Sequence, residues 1–325
     1  SFPPGHYTEI EHESNKVIPK QYWDFVPTLD RTVSIHEIRE LIKDAVEIRM
    51  TADVPVGAFL SGGLDSSIIA AIAKVERTYS VGMEVHNESQ YAEIMAKHIG
   101  SLHTSSLVST SSYRTTLKEI LQERSEVLMV PNEVLLYSLG KVIKRHCTVM
   151  LSGEGADEAF AGYSRIFDWS QENDFCIQAF AEIYCYTKDI DYEIVEDIMK
   201  PIRKKFNSNT QIVSYFMQRE HLSNLLRRLD SSAMLNSIEA RVPYVDHRLI
   251  ELLGTVNYRC KRNGIGGPKA LLKLAFEEHL PISIANREKL GFPVPLEDIY
   301  NTGNKIDGYN AWFLDNLNLL MESKK

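Results

Sequence analysis

Ile38, Leu41, Ile42, Ala45 and Val46 recur at spacings of three and four, the period of a helix that buries one face. Ser34 and Glu37 frame its start as a capping box, so this helix is expected to begin at Ser34. The pattern then changes. Val54-Pro-Val-Gly-Ala-Phe-Leu60 is a short apolar run without polar alternation, and it ends at a glycine-rich turn, as a buried strand does. Residues Ser66 to Lys74 read as a helix that is apolar almost all round. Further strands are predicted over Thr78–Met83, His103–Val108 and Cys147–Leu151, with helices over Gln90–Ile99, 112–123 and 134–145.

Strands that alternate with helices, and that lack polar alternation, predict an α/β fold: a parallel sheet with helices on both faces. That organisation covers residues 34–165. Residues 1–33 read as irregular, broken by Pro3, Pro4, Pro19 and Pro27. From 166 to 325 the glycine and proline punctuation thins, and residues 170–280 read as mainly helical.

Composition narrows the class. The chain has 325 residues, 44% hydrophobic and 25% charged, the proportions of a globular protein with a sizeable core. A formal net charge of −8 argues against a broad nucleic-acid or anionic-membrane surface, but not against a small phosphate ligand. Cys147, Cys176, Cys185 and Cys260 are scattered, with no zinc-ligand spacing, and read as reduced thiols. The first residues lack the basic start and apolar run of a signal peptide, and no stretch reaches 18 apolar residues, so a cytoplasmic location is the expectation.

The strongest chemical signal is Ser61-Gly-Gly-Leu-Asp-Ser66, set between a strand and a helix. A helix N-terminus offers unpaired N–H donors and the positive end of the macrodipole. Gly62 and Gly63 permit close backbone approach to an anion, and Ser61, Ser66 and Ser67 add hydroxyl donors. Asp65 would repel a bare phosphate, so it makes sense as a ligand for a Mg²⁺ ion bridging phosphates. The bland alternative is a Gly-Gly turn with no ligand. This is not the Walker A loop, which carries Gly-Lys-Ser/Thr after a longer spacer.

A second segment, Leu151-Ser-Gly-Glu-Gly-Ala-Asp-Glu-Ala-Phe-Ala-Gly-Tyr163, follows the fourth strand and gathers three carboxylates at its carboxyl end. Two more stand out: Ser237-Ile-Glu-Ala-Arg-Val-Pro-Tyr-Val-Asp-His-Arg248, and Asn286-Arg-Glu-Lys-Leu-Gly-Phe-Pro-Val-Pro295. Glu239 and Arg241 of the former are expected to form a buried ion pair holding the helical part against the nucleotide-binding part.

The Ser-Gly-Gly loop resembles the pyrophosphate loop of the N-type ATP pyrophosphatases, and all four segments together, in order, resemble the synthetase domain of glutamine-hydrolysing asparagine synthetases. The resemblance implies an adenine nucleotide alpha hydrolase-like fold. It implies ATP and Mg²⁺ as cofactors, and amide formation through an acyl-adenylate with release of AMP and pyrophosphate. Aspartate, with ammonia as nitrogen donor, is the expected substrate. By the same resemblance Glu154 is the base for the attacking amine, and Lys289 contacts the α-phosphate or the departing pyrophosphate. Leu60, Val81, Ser152 and Gly153 line the adenine and ribose site, Lys269 is a further phosphate contact, and Asp65 and Asp157 hold Mg²⁺.

Two features depart from that pattern. The chain begins at Ser1 and carries no N-terminal catalytic cysteine, so residues 1–33 are expected to follow an absent amidotransferase domain. Expected partners are therefore a glutaminase domain or separate chain, and a second copy in a homodimer. In addition, Val130-Pro-Asn-Glu-Val-Leu-Leu-Tyr137 replaces the family's Asp-Pro-Ser/Thr-Ala type run, which leaves Asn132 and Glu133 as candidates for altered carboxylate recognition. A relative that adenylates another carboxylate for amide formation or ring closure, as β-lactam synthetases do, is the second reading; those relatives carry Tyr where this chain has Glu154. A non-catalytic nucleotide-binding partner is the third.

Overall fold

The computed structural model describes residues 2–10, 17–85, 88–172, 174–185, 187, 189–262, 267–287, 291–292, 294–302 and 307–323. A two-residue antiparallel pairing, β1 (His6–Tyr7) with β2 (Lys20–Gln21), is the regular structure described before the first helix. Helix α1 (Ile35–Met50) begins where the capping box places it. The Ser34 hydroxyl accepts from the N–H of Glu37, and Ile38, Ile42, Ala45 and Val46 are buried.

The central sheet contains β3 (Val56–Phe59), β4 (Arg77–Met83), β5 (Leu102–Val108), β6 (Val149–Leu151) and β7 (Glu239–Arg241). Its order is β5-β4-β3-β6-β7, and every pairing is parallel. Helix α2 (Leu64–Ala73) links β3 to β4, and α3 (Ser89–Ile99) links β4 to β5. The chain then passes through α4 (Thr110–Arg124) and α5 (Glu133–Ile143) and returns on the other side of β3 as β6. Strand order therefore reverses between β3 and β6, and the carboxyl ends of these neighbours bound the crevice where open α/β sheets take ligands.

Alternation along the strands explains why both faces are covered. Ala58 and Leu151 join the core formed with α1, α2 and α3. Phe59, Tyr79 and Met150 pack instead with Leu139 and Ile143 of α5 and with Ala233 of the helix Leu222–Met234. The remainder of the chain is mainly helical, as its pattern predicts. Strand β7 is the exception. It lies inside the segment read as helical, pairs with β6 at Val149↔Glu239 and Leu151↔Arg241, and adds a fifth strand to the four predicted.

The pairing expected of Glu239 and Arg241 exists at 2.7 Å, but the Glu239 side chain is 59% exposed, so it is a surface pair and not a buried one. The attachment runs through other bonds. Arg241 Nη1 donates to the carbonyls of Arg49 and Thr51 at 2.7 and 2.8 Å, serving acceptors that the end of α1 leaves without helical partners. Asp246 caps the helix His247–Thr255 and takes the Arg49 guanidinium at 2.9 Å and the Arg248 Nε at 2.9 Å.

Burial alone would raise the Asp246 pKa, but hydrogen bonds from Arg248 and Arg49 outweigh it and hold the carboxyl well below the usual range. A depressed folded-state pKa gives stability that is present above the unfolded value and lost as pH falls through the folded one. Asp246→Asn is therefore expected to lower stability by about 2–3 kcal/mol at pH 7. In urea melts its difference from the parent should shrink steadily as pH drops below about 4.

Candidate functional site

The loop after β3 is shaped by its own residues. Leu60, fully buried, donates its N–H to the carbonyl of Tyr79 at 2.7 Å and keeps the loop's base in the sheet. Gly62 takes φ +73°, and a Cβ there would lie 2.5 Å from the backbone of Tyr91 and Ala92, so no other residue fits. Gly63 is the N-cap of α2 and brings no capping side chain, which leaves the first N–H groups of α2 to other acceptors. The Ser66 hydroxyl accepts from the N–H of Ser61 at 3.1 Å and meets the Ser61 hydroxyl at 3.0 Å, closing the turn on itself.

The loop after β6 stands beside it. Ser152 donates its N–H to the carbonyl of Arg241 in β7 at 2.8 Å, and its hydroxyl accepts from the N–H of Glu154 at 3.2 Å. At Gly153 a Cβ would meet the Ser66 N–H at 2.7 Å, so the two loops touch backbone to backbone. Gly155 at φ +92° turns the chain into the short helix α6 (Ala156–Ala159), which carries Asp157 and Glu158.

Lys269 joins the two loops. Its ammonium lies 2.8 and 2.6 Å from the two carboxylate oxygens of Asp65 and 2.9 Å from Oδ1 of Asp157, and the residue is only 5% exposed. Burial works against its charge, yet the two carboxylates hold its pKa above the ordinary lysine range. Asp65 and Asp157 thus converge on one point, although they come from different loops. Tyr244 completes this corner by donating its hydroxyl to the Asp65 carbonyl at 3.2 Å. No group of three or more His, Cys, Asp or Glu side chains poised for a metal occurs among the described residues. Asp65 and Asp157 are the two carboxylates that meet at this corner, both on the Lys269 ammonium.

Glu154 faces a different cation. Its Oε2 accepts from Arg228 of the helix Leu222–Met234, and Arg228 also donates to the Asn132 side-chain oxygen at 3.3 Å. Behind the loop, Glu158 is almost fully buried and accepts from the Tyr163 hydroxyl at 2.6 Å. Burial pushes its pKa up to about 8, with the charges of Asp157 and Glu154 adding to the effect.

The structure therefore gathers Leu60, Ser61, Gly62, Gly63, Asp65, Ser66, Ser152, Gly153, Asp157 and Lys269 around the ends of β3 and β6, with Glu154 on the same loop as Asp157. Val81 sits in β4, half-buried near the same end of the sheet. Lys289 lies outside the described residues. Glu133 does not face a ligand. Buried at 1% exposure, it pairs with Arg124 and accepts from the N–H groups of Met129 and Val130 at 2.6 and 3.2 Å. Arg228 and Tyr244 were not singled out from the sequence. The signal for Arg228 was present: a charge falling on the buried stripe with Leu222, Leu229 and Ser232.

The asparagine synthase family profile matches residues 37–321. The chain is 29% identical over 320 residues to asparagine synthetase [glutamine-hydrolyzing] 1 of Bacillus subtilis, covering 81% of this chain and 50% of that protein. It is 25% identical over 314 residues to asparagine synthetase B [glutamine-hydrolyzing] of Escherichia coli, covering 90% and 50%. The chain thus spans about half the length of the curated relatives it matches.

Lys269→Met leaves two partly buried carboxylates facing each other and is expected to lower stability by about 3 kcal/mol in thermal melts. Millimolar Mg²⁺ should recover part of that loss and stabilise the variant more than the parent. Equal, small responses to Mg²⁺ in both proteins would show that Asp65 and Asp157 do not share a cation.

Proposed function

Because this chain belongs to the asparagine synthase family, we propose that it forms an amide from a carboxylate at the expense of ATP, with AMP and pyrophosphate as the other products. The observation that carries this reading is the convergence of Asp65 and Asp157 on one cation position beside the open N-terminus of α2. Aspartate is the proposed carboxylate and asparagine the proposed product. The relatives' names support that choice, as does Glu154, which stands where ring-closing relatives carry tyrosine.

The chemistry follows from the parts. The loop at Ser61–Ser66 and the N–H groups at the start of α2 receive the phosphates that depart as pyrophosphate. Asp65 and Asp157 would hold Mg²⁺, which when bound offsets charge on the phosphate oxygens. Lys269, whose ammonium bridges Asp65 and Asp157, adds positive charge beside that position, and Lys289 is proposed to reach the α-phosphate. The substrate carboxylate attacks the α-phosphorus to give an acyl-adenylate. Leu60, Val81, Ser152 and Gly153 would flank the adenosine. Glu154, aimed by Arg228, then takes a proton as the amine attacks the acyl carbon.

Ammonia is the proposed immediate nitrogen donor. In the longer relatives, whose names state glutamine hydrolysis, glutamine is the source, and a glutaminase domain or chain would supply ammonia here. Among the described residues no helix is long and apolar enough to cross a membrane.

The test is direct. With ATP, Mg²⁺ and ammonium, aspartate should elicit pyrophosphate release and asparagine in equal amounts. Release with another carboxylate but not with aspartate would transfer the reading to the ring-closing or other-amide relatives, and no release with any carboxylate would refute it. Glu154→Gln is expected to cut asparagine formation by about 10² or more. Aspartate-dependent exchange of pyrophosphate into ATP should be much less affected, which separates the amide step from adenylation.

A further inference from the structure

We propose that Arg287 is a positioning residue for pyrophosphate, which locks the Gly62–Gly63 peptide so that its N–H faces the anion. The proposal rests on the reading of the Ser61–Ser66 loop given above. Arg287 lies just beyond the short helix Ile282–Ala285, far from the loop in sequence, yet its Nη1 donates to the Gly62 carbonyl at 3.0 Å. The same guanidinium forms an ion pair with Glu88, the N-cap of α3, and lies 4.0 Å from the centroid of the Tyr91 ring in the first turn of α3. Its side chain is only 8% exposed. Loop and helix start are thus held on one buried cation.

The need for such a lock follows from the loop's composition. A peptide joining two glycines meets little resistance to a flip, because neither residue has a Cβ. A flip would exchange the Gly62 carbonyl and the Gly63 N–H, and a carbonyl oxygen turned toward a phosphate would repel it. The peptide is planar and trans, so fixing the carbonyl on one side aims the Gly63 N–H to the other, where it donates at 3.3 Å to the Ser61 hydroxyl, a long bond that a phosphate oxygen would replace. Arg287 supplies that fixed partner on the protein side; Gly62 is pressed against the Tyr91–Ala92 backbone, and the guanidinium lies over the Tyr91 ring. Arginine suits the task better than lysine, since its planar fork can bond the carbonyl and a carboxylate while lying flat on a ring.

Isothermal titration with Mg-pyrophosphate and, separately, with AMP tests the idea on the full chain. Arg287→Met should weaken pyrophosphate on the order of tenfold, the loss expected for one charge-assisted hydrogen bond, and leave AMP within about twofold. Arg287→Lys should recover part of the affinity. Glu88→Gln, which keeps the carbonyl contact and the ring but loses the ion pair, should lose about threefold, and it carries the test if Arg287→Met does not fold. Unchanged pyrophosphate affinity in these variants, or an equal loss of AMP, overturns the proposal. A parent protein that binds neither probe would instead refute the nucleotide reading of the site.

Discussion

One ammonium group organises this molecule's crevice. Lys269 is buried, and burying a charge without partners is costly. It has a partner in each loop: Asp65 from the turn after β3 and Asp157 from the turn after β6. Separate those loops and both the cation and the two acids lose their compensation. Lys269 itself sits at φ +55°, a left-handed conformation that costs a non-glycine residue about 1 kcal/mol or more, and its ion pairs offset that cost. The arrangement is a fixed electrostatic junction at the one place where the sheet order reverses.

The backbone had to be cleared for this junction to form. Gly153 brings the second loop against the Ser66 N–H at a distance no side chain allows, and Gly62 does the same against α3. Where side chains do intervene they are donors with defined targets: Tyr244 to the Asp65 carbonyl, Arg228 to Glu154 and Arg287 to Gly62. Each comes from the part of the chain beyond β6. Those residues also close the sheet, through β7, and fasten it to α1 through Arg241 and Asp246. The part beyond β6 therefore completes the site as well as the sheet.

Much of this was legible in the sequence because it rests on local signals. Alternating apolar runs and amphipathic helices marked β3 to β6 and α1 to α5, and the capping box at Ser34 marked a helix start. The glycine-rich turns marked the two loops. Strand β7 was missed because three residues, Glu-Ala-Arg, carry no apolar run; its place is decided by pairing with β6. The same applies to the long-range donors. Nothing near Arg287 in the chain indicates that its guanidinium ends on Gly62, 225 residues earlier. Glu133 shows the converse. It looked chemically suggestive beside Asn132, but its carboxylate is taken up by Arg124 and two backbone N–H groups.

If the two loops around Lys269 accept the outer phosphates of ATP, the bond that breaks is the one between the α and β phosphorus atoms. Phosphorus NMR of the chain turning over ATP with Mg²⁺, aspartate and ammonium reads this without coupling enzymes. Resonances of AMP and pyrophosphate growing together are the expected result; resonances of ADP and orthophosphate would contradict the account.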